Sequence, residues 1–167
     1  MVHIRGVRDA DCAALLELMR KSAESRGKTV SYDLPSLYTA VLLEKRLKVY
    51  VADWNGTLAG YCLYQECSQP FSPEKGIFVL DEYVLPDYRH NDLGKGFLQT
   101  LGMIGQDRHI AFLQWERDDA DEKARLFYRS MGAELPEGQH VFFVPGDRFS
   151  EFTAHCGCGG GKRPSNR

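Results

Sequence analysis

The sequence predicts a single α/β domain built on a β-sheet of mixed direction. Three observations carry that expectation. Short runs rich in Val, Ile, Leu and aromatic residues recur along the chain, stretches of helical periodicity separate most of them, and Asn55-Gly56 joins two of the runs in a tight hairpin. A chain of 167 residues, 43% of them hydrophobic, is also long enough to bury one moderate core.

Residues 1–8 read as a first strand, and Asp9 or Asp11 is expected to cap a helix carrying Cys12, Leu15, Leu16 and Met19 on one face. That helix fades over 22–27. A polar and aromatic connection at 27–35, which could line a binding site or simply connect, leads to a short second helix with Leu37, Val41 and Leu42. Residues 48–53 and 58–65 pair as an antiparallel hairpin, and 68–76, with Pro70 and Pro73, form a loop. The run 76–85 is a third core strand that Pro86 ends, because proline brings no N–H to the ladder. From Leu93 the spacing of Phe97, Leu101 and Ile104 predicts a helix to about Gly105; then come a strand at 110–115, a helix at 123–132 stopped by Gly132, and a last strand at 140–144. The folded domain is expected over 1–151. Residues 152–167, with a glycine run and a basic end, have almost nothing to bury and read as a flexible tail.

Composition narrows the function classes. The net charge of -2, from 21 basic and 23 acidic residues, provides no global field toward nucleic acid or an anionic membrane, so neither is expected as a partner. No apolar run has membrane-spanning length, and residues 1–8 lack a signal-peptide core, which predicts a cytoplasmic protein. The five cysteines show no CxxC spacing, so no disulfide framework is expected, and Cys12 and Cys62 read as small buried hydrophobes. His155, Cys156 and Cys158 offer too few ligands for a zinc site; no metal is expected.

The stretch Tyr83 to Phe97, YVLPDYRHNDLGKGF, joins a strand to a helix through a loop ending in Gly94-Lys95-Gly96. Glycines at such a junction clear side chains away, so that backbone N–H groups at the helix start can meet a phosphate. The series of a nucleotide triphosphate loop is missing, and no acidic residue closes a dinucleotide pattern. Val84-Leu85-Pro86-Asp87-Tyr88-Arg89 followed by Asn91-Asp92-Leu93-Gly94-Lys95-Gly96 resembles motif A of the GNAT superfamily of acyl-CoA-dependent N-acetyltransferases, Gln/Arg-x-x-Gly-x-Gly/Ala after a Val-x-Pro-x-Tyr-Arg strand end. A second motif agrees: Asp121, Ala124, Phe127, Tyr128, Gly132 and Ala133 are similar to the family's Asn-x-x-Ala-x-x-Phe/Leu-Tyr-x-x-x-Gly-Ala/Phe. The likeness covers roughly 1–144. Two departures stand out: Asn91 replaces the usual Gln or Arg, and His90-Asn91 lengthens the loop by about two residues.

The resemblance implies a GNAT-like, mostly antiparallel central sheet flanked by helices, and acetyl-CoA or another short acyl-CoA as cofactor. It assigns cofactor binding to Tyr83, Val84, Leu85, Arg89, Asn91, Asp92, Leu93, Gly94, Lys95, Gly96 and Phe97, with Asp121, Ala124 and Phe127 from the second motif. Tyr83, Val84 and Leu85 would offer backbone groups to the pantetheine arm as to an added strand. Tyr128 matches the tyrosine that protonates the departing thiolate, a role its hydroxyl can fill because it donates and accepts. Asp81 and Glu82 are the candidate bases for the attacking amine. They are adjacent on a strand, so they face opposite ways. In the spermidine/spermine branch, which this region resembles, an acid stands at the position of Leu80, and that leaves the base open between the two.

The predicted acceptor is a small cationic, polyamine-like amine. Tyr32, Asp33, Tyr64, Trp115 and Glu116 are the expected substrate-binding residues, since an acid-rich rim with aromatic walls favours a cation. A non-catalytic acyl-CoA-binding regulatory module and a peptide or protein N-acetyltransferase are the alternatives. An unprotected apolar strand at 140–144 invites pairing, leaving homodimer and monomer both open.

Overall fold

A computed structural model describes residues 2–116, 122–134 and 141–154. They fall into two compact units, one of residues 2–64 and 81–97, the other of 65–80 and the described residues from 98 onward. The strands are β1 (Val2–Gly6), β2 (Lys48–Trp54), β3 (Thr57–Ser68), β4 (Lys75–Val84), β5 (Phe112–Glu116) and β6 (Val141–Pro145), in the order β1-β2-β3-β4-β5-β6. The pairs β1/β2, β2/β3 and β5/β6 are antiparallel and β4/β5 is parallel, which is the mixed, mostly antiparallel sheet expected.

In the first unit, α1 (Cys12–Glu24) and α2 (Leu34–Tyr38), continued by a wide turn to Leu43, cover one face of β2, β3 and the end of β4. Leu15, Leu16, Leu18 and Met19 of α1 pack with Leu37, Val41, Val49, Val51, Tyr61, Leu63 and Tyr83. The Asn55-Gly56 turn has φ of 50° and 88°, the paired left-handed conformation that a two-residue hairpin turn needs, and it sets Trp54 opposite Thr57. Gly60 is required on β3: a Cβ there would lie 2.6 Å from the Tyr83 carbonyl oxygen. The start of α1 differs from expectation. Asp11 gives the helix no side-chain cap; its carboxylate accepts the Arg8 N–H at 2.7 Å and the Arg5 guanidinium, which also holds Asp53 at 2.9 Å. Burial pushes the Asp11 carboxyl up, but those bonds outweigh it and hold it below its ordinary value.

In the second unit, β4, β5 and β6 pack with the later part of α3 (Leu93–Asp107), α4 (Glu122–Ser130) and α5 (Phe149–Ala154). The domain boundary expected at 151 falls inside α5, because Phe149 and Phe152 are both buried. Gly102 and Gly105 explain how α5 docks: a Cβ on Gly105 would lie 2.3 Å from the Phe149 ring, and one on Gly102 would lie 2.8 Å from Thr153 Cγ2. Residues 155–167, with the Cys-x-Cys pair, lie outside the described residues. The strand expected at 140–144 is β6, last in the order. No helix among the described residues is long and apolar enough to cross a membrane.

Candidate functional site

The junction after β4 is built to leave a helix start bare. Pro86–Asn91 wind into a 3₁₀ segment that absorbs the two added residues, His90 and Asn91, and Asp92 turns left-handed at φ 54° before α3. The first ladder bond of α3 runs from Gly96 N–H to the Asp92 carbonyl at 2.9 Å, so the N–H groups of Leu93, Gly94 and Lys95 lie in the turn that precedes the ladder. Partial positive charge collects there, and an anion is its natural ligand. Leu93 and Phe97 anchor the turn by burial. Gly94 and Gly96 keep it narrow: a Cβ on Gly94 would lie 2.5 Å from Glu82 Oε1, and one on Gly96 2.7 Å from Ile4 Cδ1. Arg89 folds back onto the strand end, its Nε donating to the Val84 carbonyl at 3.1 Å and its guanidinium 5.8 Å from the Tyr83 ring centre. Leu85 is held to β3 by its N–H to the Ala59 carbonyl at 2.9 Å.

The two candidate bases face opposite sides of β4, as strand alternation requires. Glu82 points to α3, with its carboxylate against Gly94. Asp81 points to α1: Oδ2 accepts the Tyr61 hydroxyl and the Ser22 hydroxyl at 3.2 Å, while Oδ1 is ion-paired with Arg26 Nη2 at 2.7 Å and accepts no hydrogen bond among the described residues. The same Nη2 donates to the Glu82 carbonyl at 3.3 Å. Tyr61 is 0% exposed, and burial together with the neighbouring Asp81 charge pushes its phenol well above the ordinary value, so it remains a neutral donor. On the other face of β3, burial raises the Cys62 thiol, with the Glu82 and Asp81 charges adding to it, and Cys12 is likewise raised by burial. Neither is a reactive thiolate.

In the second unit Tyr128 projects from α4 into an aromatic group. It is 8% exposed, its ring stands edge-on 5.0 Å from Trp115 and 5.3 Å from Phe127, and Trp115 lies 6.4 Å from Phe152. Phe127 is half-exposed and Glu116 exposed. Asp121 lies outside the described residues, as does the side chain of Ala124.

Three of the expected acceptor residues lie in the first unit, each in local contacts. Asp33 caps α2, accepting the Ser36 N–H at 2.9 Å. Tyr64 is buried and stacks on Tyr50 at 5.8 Å, and Tyr32 packs against the first unit's core. Sequence reasoning missed Ser22, Arg26 and Tyr61. Ser22 carried a usable signal, because it continues the apolar stripe of Cys12, Leu15 and Met19, and a hydroxyl on a buried stripe needs a partner. Among the described residues no group of three or more His, Cys, Asp or Glu side chains could hold a metal ion.

Residues 12–133 match the sequence pattern of the Acetyltransferase (GNAT) family. The chain is 25% identical over 168 residues to the bovine (Bos taurus) thialysine N-epsilon-acetyltransferase, covering 91% of this chain and 97% of the relative. Its fold is similar to the crystal structure of a GNAT-family acetyltransferase from Staphylococcus aureus Mu50, with TM-score 0.67, 15% identity, and 87% and 99% of the two chains covered. It is also similar to the crystal structure of a predicted acetyltransferase with acetyl-CoA from Clostridium acetobutylicum, with TM-score 0.65, 17% identity, and 83% and 94% of the two chains covered.

Proposed function

Because the chain belongs to the acetyltransferase (GNAT) family and is an acetyltransferase, we propose that it moves an acetyl group from acetyl-CoA to the primary amine of a small acceptor by direct attack. The observation that carries the reading is the glycine-lined start of α3 directly after β4, where the N–H groups of Leu93, Gly94 and Lys95 suit the pyrophosphate of the cofactor. The acetyl-CoA bound in the structurally similar Clostridium acetobutylicum protein supports the same cofactor.

The neutral amine attacks the thioester carbonyl carbon, a C–N bond forms, and the C–S bond breaks. In the proposed reaction Tyr128 gives the departing sulfur its proton, and the proton that the amine loses restores the Tyr128 hydroxyl through solvent, so the products are an N-acetyl amine and free CoA thiol. A primary amine is mostly protonated at neutral pH, so a base must remove a proton first. Glu82 is the carboxylate we assign to that step, through a water, since it lies against Gly94 at the start of α3, whereas Asp81 is turned to α1, with the Tyr61 and Ser22 hydroxyls on Oδ2 and Arg26 paired to Oδ1. The acceptor is a small amine of the polyamine or thialysine kind; the name of the bovine relative supports the second.

The test offers acetyl-CoA with polyamines, amino acids bearing a side-chain amine, and peptides, while free thiol is followed. Thiol release with small amines and none with peptides is expected. Release with peptides alone contradicts the reading, and acetyl-CoA binding without release from any acceptor marks a binding module.

A further inference from the structure

Resting on that reading, we infer that Arg26 is a specificity-determining residue that selects an acceptor carrying a carboxylate next to its amine, such as a basic amino acid, over a simple polyamine. A polyamine site needs an available anion. In the first unit Asp81, one of the two acids at the end of β4, is engaged by the Tyr61 and Ser22 hydroxyls and ion-paired with Arg26. What the cluster presents to solvent is the guanidinium, which is 48% exposed at its side chain.

The geometry of Arg26 favours a ligand role. Its ion pair to Asp81 Oδ1 at 2.7 Å and its hydrogen bond to the Glu82 carbonyl at 3.3 Å both use Nη2. Nε and Nη1 make no hydrogen bond among the described residues. A guanidinium held by one nitrogen keeps a fork of donors whose shape matches a carboxylate. Its backbone is fixed as well, because Arg26 N–H bonds the Ala23 carbonyl at 3.0 Å and the left-handed Gly27 closes the helix end. Arg26 therefore stands beside the strand residue preceding Tyr83, at the entrance to the 27–35 connection. Lys21 and Lys28 lie near it in sequence, against Glu24. A carboxylate there meets a pre-placed guanidinium, whereas a simple polyamine gains nothing from it.

The experiment compares lysine with cadaverine, the same diamine without the carboxylate, in wild type and in Arg26→Gln and Arg26→Lys. Wild type is expected to use lysine with a kcat/KM about 10-fold to 100-fold higher, the range of a charge-assisted bond. Arg26→Gln should bring that ratio close to one by raising KM for lysine, and Arg26→Lys should keep part of it. A wild type that prefers cadaverine, or an Arg26→Gln that shifts both acceptors equally, overturns the assignment. Calorimetric titration of the two amines into CoA-loaded protein separates this claim from the enzymatic one: lysine binding lost in Arg26→Gln upholds it even if no thiol is released, and equal binding refutes it.

Discussion

The two units use buried tyrosines in opposite ways. Tyr61, in the first, is spent on structure: its hydroxyl goes to Asp81, which also ties down Ser22 and Arg26. Tyr128, in the second, is oriented by edge contacts of its ring with Trp115 and Phe127. Ring packing fixes the orientation of a phenol, and a carboxylate partner engages its proton. Under the proposed mechanism the first unit contributes the backbone N–H groups at the start of α3 and the Glu82 carboxylate, and the second the Tyr128 hydroxyl.

The largest expected effect tests that contrast. Tyr128→Phe keeps the ring and should lower kcat by about 10-fold to 1000-fold with little change in acetyl-CoA affinity, whereas a packed-core role gives a stability loss with the rate intact. Gly94→Val comes next. A Cβ at 94 displaces the flexible tip of Glu82 and fills the approach to the helix start, so acetyl-CoA affinity by calorimetry should fall about 10-fold or more in a protein whose circular dichroism is unchanged. Glu82→Gln sharpens the comparison by pulling two readouts apart. Removing a negative charge beside the phosphate site should tighten acetyl-CoA binding about 3-fold, while the amine-dependent rate falls at neutral pH and partly recovers as pH rises and more amine is neutral. The smallest effect is on stability. Asp11 and Asp53 are held below their ordinary values, Asp53 chiefly by the Gly56 N–H and then by Arg5, so the stability they add is present above about pH 3.9 and is lost as pH falls through their folded values. Melting in acid should accordingly flatten in Asp11→Asn.

What the sequence disclosed follows from which forces are local. The hairpin at Asn55-Gly56, the stop at Pro86 and the helix from Leu93 are written in dihedral preferences and period, and each stands within a few residues of its reading. The strand read from 110 begins at 112, since the Ile110 N–H instead closes the end of α3 on the Gly105 carbonyl at 2.9 Å. Helix α5 was not legible. Phe152 reads as the start of a tail until Gly102 and Gly105, far earlier in the chain, are seen to make the space that α5 fills. The carboxylates were legible only in part: alternation sets Asp81 and Glu82 on opposite faces, but a strand pattern cannot say which face brings a tyrosine, a serine and an arginine. Distant partners also account for Tyr64, whose burial against Tyr50 depends on the β2/β3 register.

The central claim is that an acyl group leaves CoA because an amine attacks it. The direct measurement is a mass-resolved time course of wild-type protein with acetyl-CoA and lysine, counting free CoA thiol and acetylated amine together. The account predicts that the two appear in equal amounts, only when the amine is present, and with a rate that rises with pH toward the amine's own titration. Thiol appearing at the same rate without any amine, or acetyl-CoA bound and left intact beside every small amine tried, contradicts it.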